Sequence, residues 1–259
     1  MYEDLAPALL VESDGPVRIV TLNKPEQMNA FSDDLHRAMW HVWLRLIDDE
    51  EAGAVVLTGA GRAFSTGGYL PNFARDNVDP VWRRRDVRQA ERIALAMIDC
   101  ELPVVAAVNG PAIGLGCSLA LLSDLVVMAD TAYFADPHVS VGLVAGDGGA
   151  FALPLVVGML RAKEFVLLGD RIPADACERL GLANRVVGAD DVLPTATALA
   201  HRLAAQPKQA LRDSKRAMNQ QLRQAATLVL SFALAAESES FATDDVRRKV
   251  EEFTARSRD

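Results

Sequence analysis

Residues 103–130, PVVAAVNGPAIGLGCSLALLSDLVVMAD, decide the fold. Short valine-rich runs at 103–109 and 124–130 are typical of buried strands, and a helix is predicted between them at 113–122. The apolar stretch is longer than the roughly 20 residues that a membrane-spanning helix needs. Pro111 and the neighbouring glycines argue against one continuous helix, so the predicted order is strand, loop, helix and strand.

The alternation of strands and helices continues on both sides of this segment. Further strands are predicted at 17–23, 54–59 and 184–187. Further helices are predicted at 32–50, 81–100, 192–206, 208–222 and from about 225 onward. Ser32 is the predicted N-cap of the first of these helices. The pattern indicates an α/β layered fold with parallel strand pairing, followed by a mainly helical C-terminal part.

Composition excludes several classes of protein. The 259 residues are 50% hydrophobic and 24% charged, as in ordinary globular domains, so the chain is neither disordered nor collagen-like. The net charge of −8 gives no basic footprint, and no nucleic-acid partner is expected. Three widely spaced cysteines are typical of reduced thiols, and the acidic start lacks a secretory signal. These features predict a cytoplasmic protein without a membrane partner.

Two glycine-rich loops, at 59–70 and 109–120, directly follow predicted buried strands. Neither has the spacing of a phosphate-binding loop or a nucleophile elbow. As one alternative they are only tight turns, where glycine supplies a positive φ. In the other alternative, the two loops meet beyond the carboxyl ends of the strands, where ligands bind in α/β sheets. There they would present two backbone N–H groups as an oxyanion hole.

Four segments together resemble the crotonase superfamily, the enoyl-CoA hydratase/isomerase fold, over nearly the whole chain. They are AFSTGG at 63–68, the segment at 109–130, GLVAGDGGAFALPLVVG at 142–158 and AKEFVLLGDRIPADACERLGLANRVV at 162–187. The resemblance implies an α/β spiral of ββα repeats over 1–200 and a helical oligomerisation region over 201–259, which builds homo-trimers or hexamers. It also implies an acyl-CoA substrate, an enolate-like oxyanion and no separate cofactor, because coenzyme A is part of the substrate.

The resemblance also implies roles for individual residues. The backbone N–H groups of Gly68 and Leu115 would form the oxyanion hole. The positions expected to bind the acyl-CoA are Arg62, Ser65, Gly67, Leu70, Phe73, Trp82 and Val144. Five arginines, Arg83, Arg84, Arg85, Arg88 and Arg92, either meet the CoA phosphates together with Arg62 or form a solvated helix face. Phe241 and Lys249 are expected to complete the CoA site of a neighbouring subunit.

The chain departs from the family where hydratases carry two catalytic glutamates. Ser118 and His138 stand at these two positions, and Tyr69 stands where an acidic residue commonly follows the first loop. The resemblance therefore implies an enzyme of the hydratase/isomerase type for which double-bond isomerisation is favoured over hydration. The open alternatives are hydrolysis, dehalogenation or carbon–carbon cleavage, and an acyl-CoA-binding protein without catalysis.

Three residues are candidates for proton transfer. Asp147 is either a general acid/base, with a pKa that burial would raise, or the N-cap of the following helix. His138, for which Asp136 is a candidate partner, is either an acid/base or a hydrogen-bonded structural histidine. Ser118 lacks an adjacent base and is a poor nucleophile. No histidine has the spacing of a metal-binding pair, so metal catalysis is not expected.

Overall fold

The structure of the chain is a computed structural model that describes residues 1–256. Its strands are β1 (Leu9–Asp14), β2 (Val17–Leu22), β3 (Ala54–Gly59), β4 (Val104–Val108), β5 (Ala112–Ile113), β6 (Leu125–Ala129), β7 (Tyr133–Ala135), β8 (Ile172–Pro173) and β9 (Arg185–Val187). Six of them form one sheet in the order β1-β2-β3-β4-β6-β9, and β5-β7-β8 form a smaller sheet.

The helices pack around these two sheets. They are α1 (Asp33–Asp48), α2 (Leu70–Val78), α3 (Pro80–Asp99), α4 (Leu115–Leu121), α5 (Gly149–Val157), α6 (Met159–Leu168), α7 (Ala174–Arg179), α8 (Val192–Ala204), α9 (Lys208–Ser240) and α10 (Asp244–Arg256). Helix α3 lies between α1 and α9, and α8 packs on β3 and β4.

The predicted parallel pairing is confirmed for β2, β3, β4, β6 and β9 of the larger sheet. Strand β1 was not predicted, and it pairs antiparallel with β2 through a tight turn at Gly15, whose φ is +56°. Its second half is exposed, so it lacks the apolar pattern of the central strands. Ser32 stands at the N-cap position of α1, but its hydroxyl donates to Asp34 and makes no cap hydrogen bond.

The prediction of two helices after Pro207 was wrong. Helix α9 runs without a break for 33 residues, because the chain from Lys208 to Ser240 contains neither proline nor glycine. The polar residues at 219–224, where a break was expected, are exposed or half-buried on the helix. Helix α8 continues across residue 200, and the division of the chain at that point stays a prediction.

Within residues 1–256 no single helix is long and apolar enough to cross a membrane; α9 and the start of α10 pass that test only as a pair bent by 69°.

The strand ends bring the two glycine-rich loops together. The N–H of Ile113 donates to the carbonyl of Ser65 at 2.9 Å, and the N–H of Ser65 donates to the carbonyl of Pro111 at 3.2 Å. Gly116 allows this close approach, since a Cβ at that position would lie 2.5 Å from the carbonyl oxygen of Ser65. The loops after β3 and β4 are thus hydrogen-bonded to each other beyond the carboxyl ends of these strands, where the sequence placed them.

Candidate active site

Two cavities meet at the paired loops. The larger is open and has a volume of about 800 Å³, and the smaller has a volume of about 60 Å³. Five residues line both of them: Gly68, Tyr69, Phe73, His138 and Leu143. A ligand that extends from one cavity into the other therefore passes these residues.

The two predicted oxyanion donors lie at the smaller cavity. Gly68 and Leu115 both line it. Leu115 is the first residue of α4, so its N–H has no acceptor within the helix. A Cβ on Gly68 would lie 2.4 Å from the ring of Phe73, so a side chain at this position would displace that ring. The arrangement leaves a helix N-terminus and a side-chain-free loop facing the same space, while the role of both N–H groups as donors stays a prediction.

Asp147 lies at the centre of a hydrogen-bonded group in the same wall. The hydroxyl of Ser118 donates to Asp147 Oδ1 at 2.9 Å, and His138 Nε2 lies 3.5 Å from Asp147 Oδ2. The other ring nitrogen of His138 bonds to Asp136, the partner that the sequence suggested. The two residues at the hydratase-glutamate positions thus both contact one aspartate.

The alternative of Asp147 as a helix cap is wrong. The N-cap of α5 is Gly148, and no side chain caps this helix. The carboxyl of Asp147 is instead turned towards Ser118 and His138, where it lines the smaller cavity.

His138 and Asp147 shift each other's pKa values. Burial disfavours the charged form of both partners, but Asp136 and Asp147 outweigh it and raise the pKa of His138 well above its ordinary value. Burial likewise opposes ionisation of Asp147, yet His138 and the Ser118 hydroxyl lower the pKa of this carboxyl. Burial does act in the expected direction, but the expected net rise in the pKa of Asp147 was wrong. Near neutral pH the pair is an imidazolium and a carboxylate.

A second buried carboxyl, Glu237, was not predicted. It extends from α9 into the wall of the smaller cavity, and a Cβ on Gly146 would lie only 2.1 Å from its Oε2 atom. Burial raises the pKa of Glu237 to about 8; His138 acts against this shift, and Asp147 and Asp136 add to it. The signal in the sequence is an acidic residue on the buried face of α9, in line with Ala233, Leu234 and Phe241.

The raised pKa of Glu237 predicts a pH-dependent stability. A carboxyl whose pKa is about 8 when folded and ordinary when unfolded stabilises the fold fully below the unfolded pKa, and this contribution is lost as pH rises towards 8. Glu237→Gln cannot ionise, so we expect it to be more stable than the wild type by about 1–3 kcal/mol at pH 9 and nearly equal at pH 5. Denaturant unfolding at the two pH values measures the difference. Glu239→Gln, at an exposed position of the same helix, is the control, and an equal pH profile for Glu237→Gln and the wild type would contradict the assignment.

Several predicted binding residues line the larger cavity, and others do not. Gly67, Leu70 and Phe73 line it. Ser65 is fully buried: its hydroxyl donates to the carbonyl of Asn29 at 2.8 Å and accepts from the N–H of Gly67 at 3.2 Å. Ser65 therefore stabilises the first glycine-rich loop and does not line the cavity. Val144 lines neither cavity and donates its N–H to Ser240.

The arginines of α3 lie away from these two cavities. The guanidinium groups of Arg85 and of Arg75 from α2 lie over the ring of Trp82, 4.6 and 4.2 Å from its centroid. Arg84, Arg85, Arg88 and Arg92 line a separate groove beside Trp40. Arg62 is exposed next to Met28. The predicted contacts of Trp82 and the arginines with acyl-CoA therefore stay predictions.

Phe241 and Lys249, which were expected to complete the CoA site of a neighbouring subunit, both contact residues of their own chain. Phe241 packs edge-on against Phe73, with ring centroids 5.3 Å apart, and lines the smaller cavity. Lys249 pairs with Glu252 at 3.0 Å. Phe241 thus lines the candidate site of its own chain.

Comparison with known proteins identifies the family. Residues 12–258 match the family model described as enoyl-CoA hydratase/isomerase. The chain belongs to this family. The crotonase fold expected from the sequence is confirmed, and so is the expectation of an enzyme.

Solved structures and curated relatives of this enoyl-CoA hydratase/isomerase family member include both types of enzyme. An enoyl-CoA hydratase/isomerase from Mycobacterium paratuberculosis is 48% identical, covers 95% of this chain and 98% of its own, and superposes with a TM-score of 0.92. A monofunctional enoyl-CoA isomerase from M. smegmatis is 33% identical, covers 83% and 94%, and has a TM-score of 0.71. The short-chain-enoyl-CoA hydratase of Clostridium acetobutylicum is 32% identical and covers 96% and 98%.

Proposed function

We propose that this enzyme is an enoyl-CoA isomerase that converts a 3-enoyl-CoA into the 2-enoyl-CoA. The observation that carries the proposal is the convergence of Ser118 and His138 on Asp147. The residues at both hydratase-glutamate positions hold one carboxylate, where a hydratase has two carboxyls of its own. Isomerisation needs one group that removes a proton at one carbon and returns it at another.

The proposed reaction begins with the thioester carbonyl between the N–H groups of Gly68 and Leu115. Asp147 removes a proton from C2, and the electrons of that C–H bond form a double bond between C2 and the thioester carbon, C1. The π electrons of the carbonyl move onto its oxygen, and the C3–C4 double bond is unchanged in this step. The negative charge of the resulting dienolate rests on the thioester oxygen, where the two N–H groups stabilise it. The carboxyl of Asp147 then returns the proton to C4: the electrons of the C3–C4 double bond form the new C4–H bond, those of the C1–C2 double bond form the C2–C3 double bond, and the carbonyl re-forms.

His138 and Asp136 act on Asp147 in this proposal. The imidazolium keeps Asp147 ionised before the reaction, and Asp136 holds the ring with its other nitrogen turned towards Asp147. Ser118 fixes the second oxygen, Oδ1. Both oxygens of the carboxylate are thus held by neighbouring side chains, which orients the base for proton transfer.

Coenzyme A enters the proposal as part of the substrate, in the larger cavity, with the acyl group in the smaller one.

We also propose a homo-trimeric or hexameric assembly. Large apolar side chains are exposed on the adjoining helices α5, α6 and α9: Leu155, Val156, Met159, Leu160, Leu167, Leu168, Leu228 and Phe232. Exposed apolar groups of this extent are typical of protein interfaces.

Hydration of a 2-enoyl-CoA is the second candidate function. The Asp147 carboxylate and the His138 imidazolium form a base and an acid at the same cavity, which suits the addition of water across a double bond. The names of several relatives agree with this reaction.

Incubation in H₂¹⁸O distinguishes the two reactions. The purified protein is given 3-enoyl-CoA and 2-enoyl-CoA in separate reactions, and the products are identified by mass spectrometry. Isomerisation predicts 2-enoyl-CoA from the 3-enoyl substrate without uptake of ¹⁸O. Conversion of the 2-enoyl substrate alone, into an ¹⁸O-labelled hydroxyacyl-CoA, would favour hydration and overturn the isomerase proposal.

A further inference from the structure

Part of the wall of the smaller cavity is polar. Three side chains from three helices form part of it: His36 from α1, Asp86 from α3 and Glu237 from α9. We infer that this cavity binds an acyl group with a hydroxyl group near its end, an inference that rests on the proposed acyl-CoA function.

Each of these three side chains has a buried atom without a hydrogen-bond partner among residues 1–256. The atoms are His36 Nδ1, Asp86 Oδ1 and Glu237 Oε2. None of the three residues is more than 9% exposed. Folded proteins pair more than about nine in ten of their buried polar groups. Three unpaired groups around one cavity of about 60 Å³ therefore indicate that a ligand supplies the bonds.

The surroundings hold these groups close to neutral. Burial lowers the pKa of His36 to about 4, against the opposing effects of Asp33 and Asp147. Burial and the neighbouring Asp76 carboxyl raise the pKa of Asp86 to about 8, although Arg75 opposes the shift. Glu237 behaves alike, with His138, Asp147 and Asp136 as its charged neighbours. Neutral carboxyl and imidazole groups each donate and accept hydrogen bonds, which matches the donor and acceptor of a neutral hydroxyl.

The fixed contacts of Asp86 support a recognition role for its free oxygen. Asp86 Oδ2 accepts from Arg75 at 2.7 Å, and Arg75 also binds Asp33 at 2.7 Å and Asp76 at 3.0 Å. This network joins α1, α2 and α3 and holds the carboxyl in one orientation. Asp86 also shares a hydrogen bond with the Asp76 carboxyl. Its second oxygen, Oδ1, accepts no hydrogen bond from residues 1–256.

The size of the cavity limits the acyl group. A volume of about 60 Å³ holds only a few water-sized groups. Apolar side chains line the rest of the wall, and they include Phe31, Val87, Ala90 and Phe241. The cavity thus fits a short chain whose methylene groups contact the apolar side and whose terminal hydroxyl reaches the three polar groups. A methyl group in the same place would leave them unpaired.

The test is the binding of two saturated acyl-CoA ligands of equal length, one ending in methyl and one ending in hydroxyl, measured by calorimetry. We expect the wild type to bind the hydroxyl ligand at least about tenfold more tightly. Glu237→Leu is expected to reduce this ratio strongly, whereas Glu237→Gln, which keeps hydrogen bonding, retains a preference. Glu239→Gln is the control on the same helix. Equal or tighter binding of the methyl ligand by the wild type would overturn the inference, and this comparison needs no variant to fold.

The saturated ligands cannot isomerise, so the two proposals fail separately. A preference for the hydroxyl ligand without any isomerisation overturns only the proposed reaction. Isomerisation of 3-enoyl-CoA without a preference overturns only the inference about the acyl group. Internal water that satisfies the three polar groups would give a ratio near one, and that result also counts against the inference.

Discussion

Asp147→Asn is expected to lower kcat/KM for 3-enoyl-CoA by about a thousandfold, within the range of general-base removal. The amide keeps the shape of the side chain and can still accept from Ser118, but it cannot take the C2 proton. Steady-state kinetics of the purified variant measures the loss, which falls on kcat because the group acts on the reacting carbons. Thermal unfolding shows whether the fold is retained.

Asp130→Asn is the matched control for this substitution. Asp130 is an exposed aspartate directly after β6, and we expect its amide variant to keep the wild-type rate. Activity of Asp147→Asn within threefold of the wild type, on the order of 0.7 kcal/mol in transition-state free energy, would remove Asp147 from the reaction.

Leu115→Pro is expected to lower kcat by about 10²–10³, the usual effect of removing one oxyanion-hole donor. Proline is tolerated at the first position of a helix, because the N–H there makes no intrahelical bond. Leu115 occupies this position in α4. The substitution therefore removes the proposed donor while the helix can still form.

Leu115→Ala separates the donor from the side chain. Leu115 is only 4% exposed, so both variants lose its packing, but only the proline variant loses the N–H. The ratio of the two kcat values, with stability measured in parallel, reports the contribution of the N–H group. Equal kcat values would show that the N–H of Leu115 does not stabilise the oxyanion.

Local patterns predicted the parts of the fold that depend on short segments. The valine-rich strands β3, β4 and β6 and the helices α1 and α3 follow from the apolar spacing, because each buries one continuous face or run. The glycine-rich loops follow from the residues that permit close backbone contact, as at Gly116. Strand β1 was missed because it forms by pairing with β2 and has no apolar pattern of its own. The unbroken α9 was missed because its polar residues were taken for a break, although no proline or glycine interrupts it.

The candidate site was only partly predictable, for a physical reason. The resemblance to the family pointed to Asp147, His138 and Ser118, but the direction of the Asp147 pKa shift depends on their contact in space. Glu237 lies far along the chain, and in the sequence it resembles the exposed Glu239 two residues later. Only the packing of α9 against Gly146 shows which of the two glutamates faces the cavity.

The route of the proton tests the central claim most directly. Wild-type protein is incubated with 3-enoyl-CoA that carries deuterium at C2, and the position of the label is followed by NMR. Transfer by the buried Asp147 predicts 2-enoyl-CoA with part of the deuterium at C4. Recovery of the substrate with all deuterium still at C2 and no 2-enoyl-CoA formed would contradict the account.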